Sequence, residues 1–222
     1  MILNTLFTDP MIFVAWVVAI ILALTFHEFS HALASAMMGD QTAKSLGRLT
    51  LNPLSHVSGL GFIMLLFVGF GWGKPVPFNP YNLKYHKWGP ALVALAGPIS
   101  NLLLAFVSGL ALHYIVVLNW LPPENLLVQF LNIFVILNVI LMLFNLIPIP
   151  PLDGSKVLFS FLSSPRYAKF VLFLETRGPY LLLFLLILDN IIGINIFGRL
   201  FRFTIEFVYK PDLLTLLDYF FS

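Results

Sequence analysis

Two histidines four residues apart, with a glutamate directly after the first, stand where the surrounding sequence gives no other reason for charge: His27, Glu28 and His31. The residues before them, Met11 to Phe26, read MIFVAWVVAIILALTF and hold no ionisable side chain. On a helix, positions i and i+4 share a face one turn apart. His27 and His31 can therefore offer two imidazole nitrogens to one ion, at about 2.0–2.1 Å. Glu28 adjoins that face and suits the role of general base toward a zinc-bound water. A carboxylate near the centre of a membrane helix costs about 2.5–3.5 kcal/mol, and a bound cation offsets that cost. The pattern predicts one Zn2+ per chain. The 222 residues include no cysteine, so the ligands must be nitrogen and oxygen.

A catalytic zinc usually takes three protein ligands and keeps one position open. The candidate for the third is Asp153, in the run NLIPIPPLDG from Asn145 to Gly154. An apolar run ends near Asn145, prolines stop the helix, and the chain turns at Gly154 with Asp153 brought past the depth of the histidines. Met11 to Phe26 rise roughly 24 Å at 1.5 Å per residue, which sets His27 below mid-bilayer, where water can reach it. The competing reading of Asp153 is a helix N-cap.

The elements that must position these groups are apolar. The chain is 59% hydrophobic and 10% charged, against about 25% charged in soluble domains. It reads as an all-α membrane protein: a polytopic transmembrane helix bundle with a re-entrant or extended membrane-inserted segment. Residues 1–222 read as a single intramembrane domain, with a core over about 11–160 and amphipathic and C-terminal helices over 155–222. The first apolar run, about Met11 to Met38, is long enough to span; with no basic residue before it, it reads as a retained helix and not a signal peptide. Val57 to Phe70 is short and carries Gly59, Gly61 and Gly69, which suits a re-entrant segment. Runs at about Gly89–Leu118 and Leu126–Leu146, joined by a short turn with Pro122 and Pro123, predict antiparallel neighbours. Ser155 to Arg177 mixes apolar and charged residues as interfacial helices broken near Pro165 do, and a fifth apolar run starts at Pro179. The tail after Gly193, with Arg199, Arg202, Glu206 and Lys210, reads as interfacial too.

Of the twelve basic residues, Lys44, Arg48, Lys74, Lys84, Lys87, Lys156, Arg166, Lys169 and Arg177 fall on one side of this arrangement. The positive-inside rule places them in the cytosol. The expected location is the cell membrane, multi-pass, with the active site toward the cytosolic face. A formal charge of +2 gives no reason to expect nucleic acid as a partner.

H-E-x-x-H near the end of the first span and N-x-x-P-x-x-P-x-D-G after a later one resemble the site-2 protease family of intramembrane zinc metalloproteases. The resemblance extends to the segment Gly47 to His56, to Gly71–Asn79, which is similar to the family's membrane-inserted extended strand, and to Ala96–Asn101, which is similar to the start of its next helix. It covers roughly residues 15 to 160 and points to a short prokaryotic type without PDZ or CBS domains. One departure is visible: many members read Ile-Asp-Pro after the residue matched by His56, where this chain has Val57, Ser58 and Gly59. The resemblance implies zinc on His27, His31 and Asp153, Glu28 as the catalytic acid/base, and Asn145 as the residue that positions substrate or stabilises the oxyanion. A helix cap is the alternative for Asn145. The implied partners are the lipid bilayer and a membrane-protein substrate cut within or near its span. Trp72, Val76 and Phe78, on the extended segment, are candidate substrate contacts through β-strand addition. Pro75 and Pro77 lack N–H donors and restrict pairing to one edge.

Asn101, on an apolar helix, reads as an interhelical packing hydrogen bond, with a supporting role at the site as the alternative. His56, His86 and His113 have no partner at ligand spacing and read as interfacial or packing residues. Two rival functions remain, a catalytically inactive homologue and a membrane transporter or metal permease. A permease predicts inverted repeats and a polar path across the bilayer; the sequence displays neither.

Overall fold

The computed structural model describes residues 2–68, 71–192 and 199. Within them the chain is helical: α1 (Ile2–Thr8), α2 (Pro10–Met37), α3 (Thr42–Ser45), α4 (Gly59–Val68), α5 (Gly89–Val117), α6 (Leu126–Asn145), α7 (Asp153–Phe161) and α8 (Ala168–Ile192). Four helical stretches are long and apolar enough to cross a membrane: Pro10–Met37, Gly89–Val117, Leu126–Asn145 and Pro165–Leu188. The protein is an all-α polytopic membrane protein.

Local chemistry sets the ends of α2. The Asp9 side chain accepts a hydrogen bond from the Ile12 amide at 3.1 Å, and Pro10 occupies the first turn, where no N–H is needed. Gly39, at φ 104°, carries the chain out of the helix. Between these ends, one residue in four turns inward: Ala15, Ala19, Ala23, His27, His31 and Ser35 are all buried. The three alanines let neighbouring helices come close, and they pack with Ile133 and Phe134 of α6. Helices α2, α5 and α6 each contact the other two, and α7 packs on α5. The outward faces stay apolar, with Leu103, Phe106 and Val107 of α5 all exposed, as a lipid-facing surface requires.

The structure extends the sequence reading in two places and corrects it in one. Residues 2–8, for which no element was expected, form α1. The stretch read as interfacial helices breaks near Pro165 as expected, between α7 and α8, but its second part, from Ala168, does not end at Arg177: it continues with the apolar run from Pro179 as one helix, α8, that passes through Pro179. Its continuity has a visible basis: Leu174, Gly178 and Leu182 form a buried stripe at helical spacing. A Cβ on Gly178 would come within 2.7 Å of the Pro150 ring, so the bare glycine lets α8 seat there. This packing offsets the hydrogen bond that Pro179 forgoes. Within the Val57–Phe70 run, α4 spans Gly59–Val68; residues 71–79, the segment read as extended, hold no helix and are joined to the preceding loop by one antiparallel bridge, Val57 to Gly73. The tail after Gly193 lies outside the described residues, apart from the exposed Arg199.

Candidate metal centre

Helix α2 delivers His27 and His31 to its inward stripe, and the Pro148–Pro151 bend delivers Asp153 to the first turn of α7. The three meet. His27 Nε2 and His31 Nε2 are 3.1 Å apart, and each is 3.2 Å from Asp153 Oδ2. All three residues are buried. The N-cap of α7 is Leu152 and makes no side-chain cap, so Asp153 does not serve as one; its carboxylate is turned to the histidines. The second carboxylate oxygen lies 3.6 Å from Lys156 Nζ.

This triangle fits a metal. Tetrahedral bonds of about 2.0–2.1 Å place neighbouring donor atoms roughly 3.3–3.4 Å apart, close to the three edges observed. Two imidazoles and one carboxylate, with no thiolate, form a donor set that zinc accepts. Each imidazole is held at its other nitrogen by α5. His31 Nδ1 donates to the Val93 carbonyl at 2.7 Å, and His27 Nδ1 lies 2.6 Å from Asn101 Oδ1. Partners of this kind orient metal-ligating histidines. Helix α5 can approach this closely because residue 97 is glycine: a Cβ there would lie 2.5 Å from His31 Nε2 and 2.6 Å from His27 Cε1.

Glu28 is also buried, beside the extended segment. A Cβ on Gly73 would sit 3.1 Å from Glu28 Oε1 and 3.2 Å from the His56 carbonyl. The segment is tethered at both ends. Arg48 Nη1 donates to the Pro75 carbonyl at 3.0 Å and Nη2 to the Lys74 carbonyl at 2.6 Å, while the Lys74 amide donates to the His56 carbonyl. At the far end the Asn79 amide donates to Asp40 Oδ2 at 2.7 Å, and Asn82 Nδ2 and the Thr42 hydroxyl donate to Asp40 Oδ1. Burial alone would raise the Asp40 carboxyl; the hydrogen bonds from Thr42, Asn79 and Asn82 outweigh it and hold the group below its ordinary value. Among the described residues no hydrogen bond engages the backbone of Val76 or Phe78. Trp72 is exposed, and Val76 and Phe78 are half-buried.

Asn145 is the last residue of α6, and its Nδ2 donates back to the Leu141 carbonyl at 3.0 Å; one amide hydrogen remains for another acceptor. His56 is fully buried, and its Nε2 donates to the Thr50 carbonyl at 2.7 Å. Burial pushes its pKa down, so it packs as a neutral ring. Asn101 was expected to make an interhelical hydrogen bond and does, to Asn138, yet it also touches a candidate ligand. Asn138, Val93 and Asp40 lie outside the segments that carried the resemblance, while Gly97 and Arg48 lie inside two of them, Ala96–Asn101 and Gly47–His56, with no role assigned to either. Only Asn138 offered a signal, a polar residue in the middle of an apolar span.

The profile of peptidase family M50 matches residues 115–186, which include Asp153 but not the two histidines. Three relatives align over longer stretches. A Bacillus subtilis protein named "Putative zinc metalloprotease YwhC" is 42% identical over 148 residues, which cover 64% of this chain and 66% of that one. The Rip2 protein of Mycolicibacterium smegmatis, which carries the same descriptive name, is 31% identical over 153 residues, 64% of this chain and 55% of its own. MJ0611 of Methanocaldococcus jannaschii, again so named, is 32% identical over 149 residues, 67% of this chain and 71% of its own. The matched stretch thus spans just under two thirds of YwhC and little more than half of Rip2. No solved structure matches the chain. With a relative this similar over most of its length, and with the motifs of a site-2 protease folded into one buried donor cluster, the chain belongs to peptidase family M50.

Proposed function

We propose that this protein is a zinc-dependent intramembrane endopeptidase that hydrolyses peptide bonds within or near the spans of membrane-protein substrates. The observation that carries the reading is the donor triangle of His27, His31 and Asp153, buried beside a glutamate in an apolar bundle. Zinc, when bound there, supplies Lewis-acid polarisation of a peptide carbonyl and a nucleophile at neutral pH. Glu28 takes a proton from the attacking water and returns it to the leaving amine. The second amide hydrogen of Asn145 donates to the oxyanion. The basic loops face the cytosol of a cell-membrane protein, and the site opens toward that side.

A helical peptide bond is shielded by its own hydrogen bonds, so the substrate must unwind to be cut. The segment around Trp72, Val76 and Phe78 receives the unwound stretch by strand addition. Two features support this: Gly73 brings the segment against Glu28, and the Val76 and Phe78 backbone groups have no other partner among the described residues.

Purified protein is expected to hold about one zinc per chain by metal analysis and to cleave a membrane-anchored test substrate. Chelation should abolish cleavage and zinc should restore it, while Asp153→Ala should lose the metal. Protein that purifies without zinc, or cleaves equally well after chelation, overturns the reading. For the strand, a photo-cross-linker at Val76 or Phe78 should trap bound substrate. Cross-links formed only from other positions remove that role from the segment.

A further inference from the structure

A histidine can hold a cation through Nε2 only if the ring proton sits on Nδ1. For His31 this is settled locally, because Nδ1 faces a carbonyl, Val93, which can only accept. For His27 it is not. Its Nδ1 faces the side-chain amide of Asn101, and an amide can present either its oxygen or its NH2. With the oxygen forward, His27 keeps its proton on Nδ1 and a bare Nε2 faces Asp153. With the NH2 forward, the proton moves to Nε2 and blocks the site.

The choice is made one helix further away. Asn101 Nδ2 donates to Asn138 Oδ1 at 2.8 Å, and Asn138 Nδ2 donates to the Phe134 carbonyl at 2.8 Å. The Phe134 carbonyl can only accept, so it draws the NH2 of Asn138. Asn138 then presents its oxygen to Asn101, Asn101 turns its NH2 toward it, and the Asn101 oxygen is left for His27. A weaker contact from Asn101 Nδ2 to the Ala23 carbonyl, at 3.4 Å, favours the same sense. Both asparagines have no solvent exposure, so water cannot substitute for either partner.

We propose that Asn138 is a positioning residue which, through Asn101, sets the tautomer of His27 and thereby the metal affinity of a site it does not touch. This rests on the metal reading above. The bland alternative is that Asn138 only fastens α6 to α5.

The test compares zinc affinity, by competition with a chromogenic chelator, and the His27 tautomer, by histidine 15N NMR of metal-stripped protein in detergent. Asn138→Leu is expected to weaken zinc roughly tenfold, at the low end of the 10–100-fold found for hydrogen-bond partners of metal ligands. It should also populate the Nε2–H form of His27. Asn101→Asp supplies a carboxylate that can only accept, so in that background Asn138→Leu should cost nothing in zinc affinity. A mere fastening role predicts the same loss in both backgrounds, and that result overturns the proposal, as does an Asn138→Leu protein with wild-type affinity and tautomer. If Asn138→Leu does not fold, Asn138→Asp serves. Buried and neutral, its hydroxyl donates to Phe134 and its carbonyl accepts from Asn101, so His27 should keep Nδ1–H; an Nε2–H ring there also overturns the proposal. Wild-type protein that binds no zinc sinks the metal reading itself, whereas wild type that binds it, with Asn138→Leu indifferent, sinks only this inference.

Discussion

Glu28→Gln is expected to bind zinc as the unaltered protein does and to cleave at least ~100-fold more slowly, in the range of 10²–10⁴ that a positioned general base contributes. The substitution keeps the volume and the polar end of the side chain and removes only the ability to take up a proton. Glu28 is not part of the donor triangle, so metal content separates a chemical loss from a structural one. Its position also favours a clean result: the carboxylate packs against Gly73, and an amide of the same size fits the same space. The measurement is single-turnover cleavage of a membrane-anchored substrate beside zinc analysis of the same sample. Cleavage within a few-fold of the unaltered protein would remove Glu28 from the mechanism.

The second large effect is expected from one methyl group. Gly97→Ala places a carbon 2.5 Å from His31 Nε2 and 2.6 Å from His27 Cε1. The clash falls on ring atoms, and the rings cannot swing away freely because Val93 and Asn101 hold their Nδ1 atoms. Either the rings leave the triangle or α5 retreats from α2. Zinc affinity should fall by roughly 100-fold or more, beyond the loss usual for hydrogen-bond partners of ligands, with overpacking costing a further ~1–3 kcal/mol of stability. Gly109→Ala, on the same helix, is the control. A Cβ there meets nothing nearer than 3.9 Å, so its zinc affinity should be unchanged. Equal behaviour of the two variants would show that α5 does not need a bare backbone beside the histidines.

What could be read beforehand was what local sequence encodes. His27 and His31 are one helical turn apart, and a turn is a local rule. Asp153 was reachable because Pro148, Pro150 and Pro151 force the chain to stop and bend beside it. Three of the four spans followed whole from runs of apolar residues, and the fourth only in its part after Pro179. What could not be read depends on partners far along the chain. Asn101 meets His27 across 74 residues, and the Ala96–Asn101 segment, though it carried the resemblance, does not name that partner. Asn138 lies among leucines and valines with no motif. Asp40 lies just past the end of α2, and its carboxylate is engaged by Asn79 and Asn82 from another loop. Continuity through Pro179 failed as a sequence reading for the same reason, since it depends on Gly178 finding Pro150.

The tethers on the extended segment have a consequence for how such a protein can change. Arg48 grips carbonyl oxygens, and Asp40 grips the amide of Asn79 at the far end. Every residue type offers a carbonyl, so the side chains at 75 to 78 are spared from the task of anchoring. Where the tract lies and what its side chains prefer are thus separately adjustable properties. If the tract receives substrate as proposed, mutation can rewrite Val76 or Phe78 to suit a different client while the tethers keep the tract beside Glu28, so new preferences can arise one residue at a time.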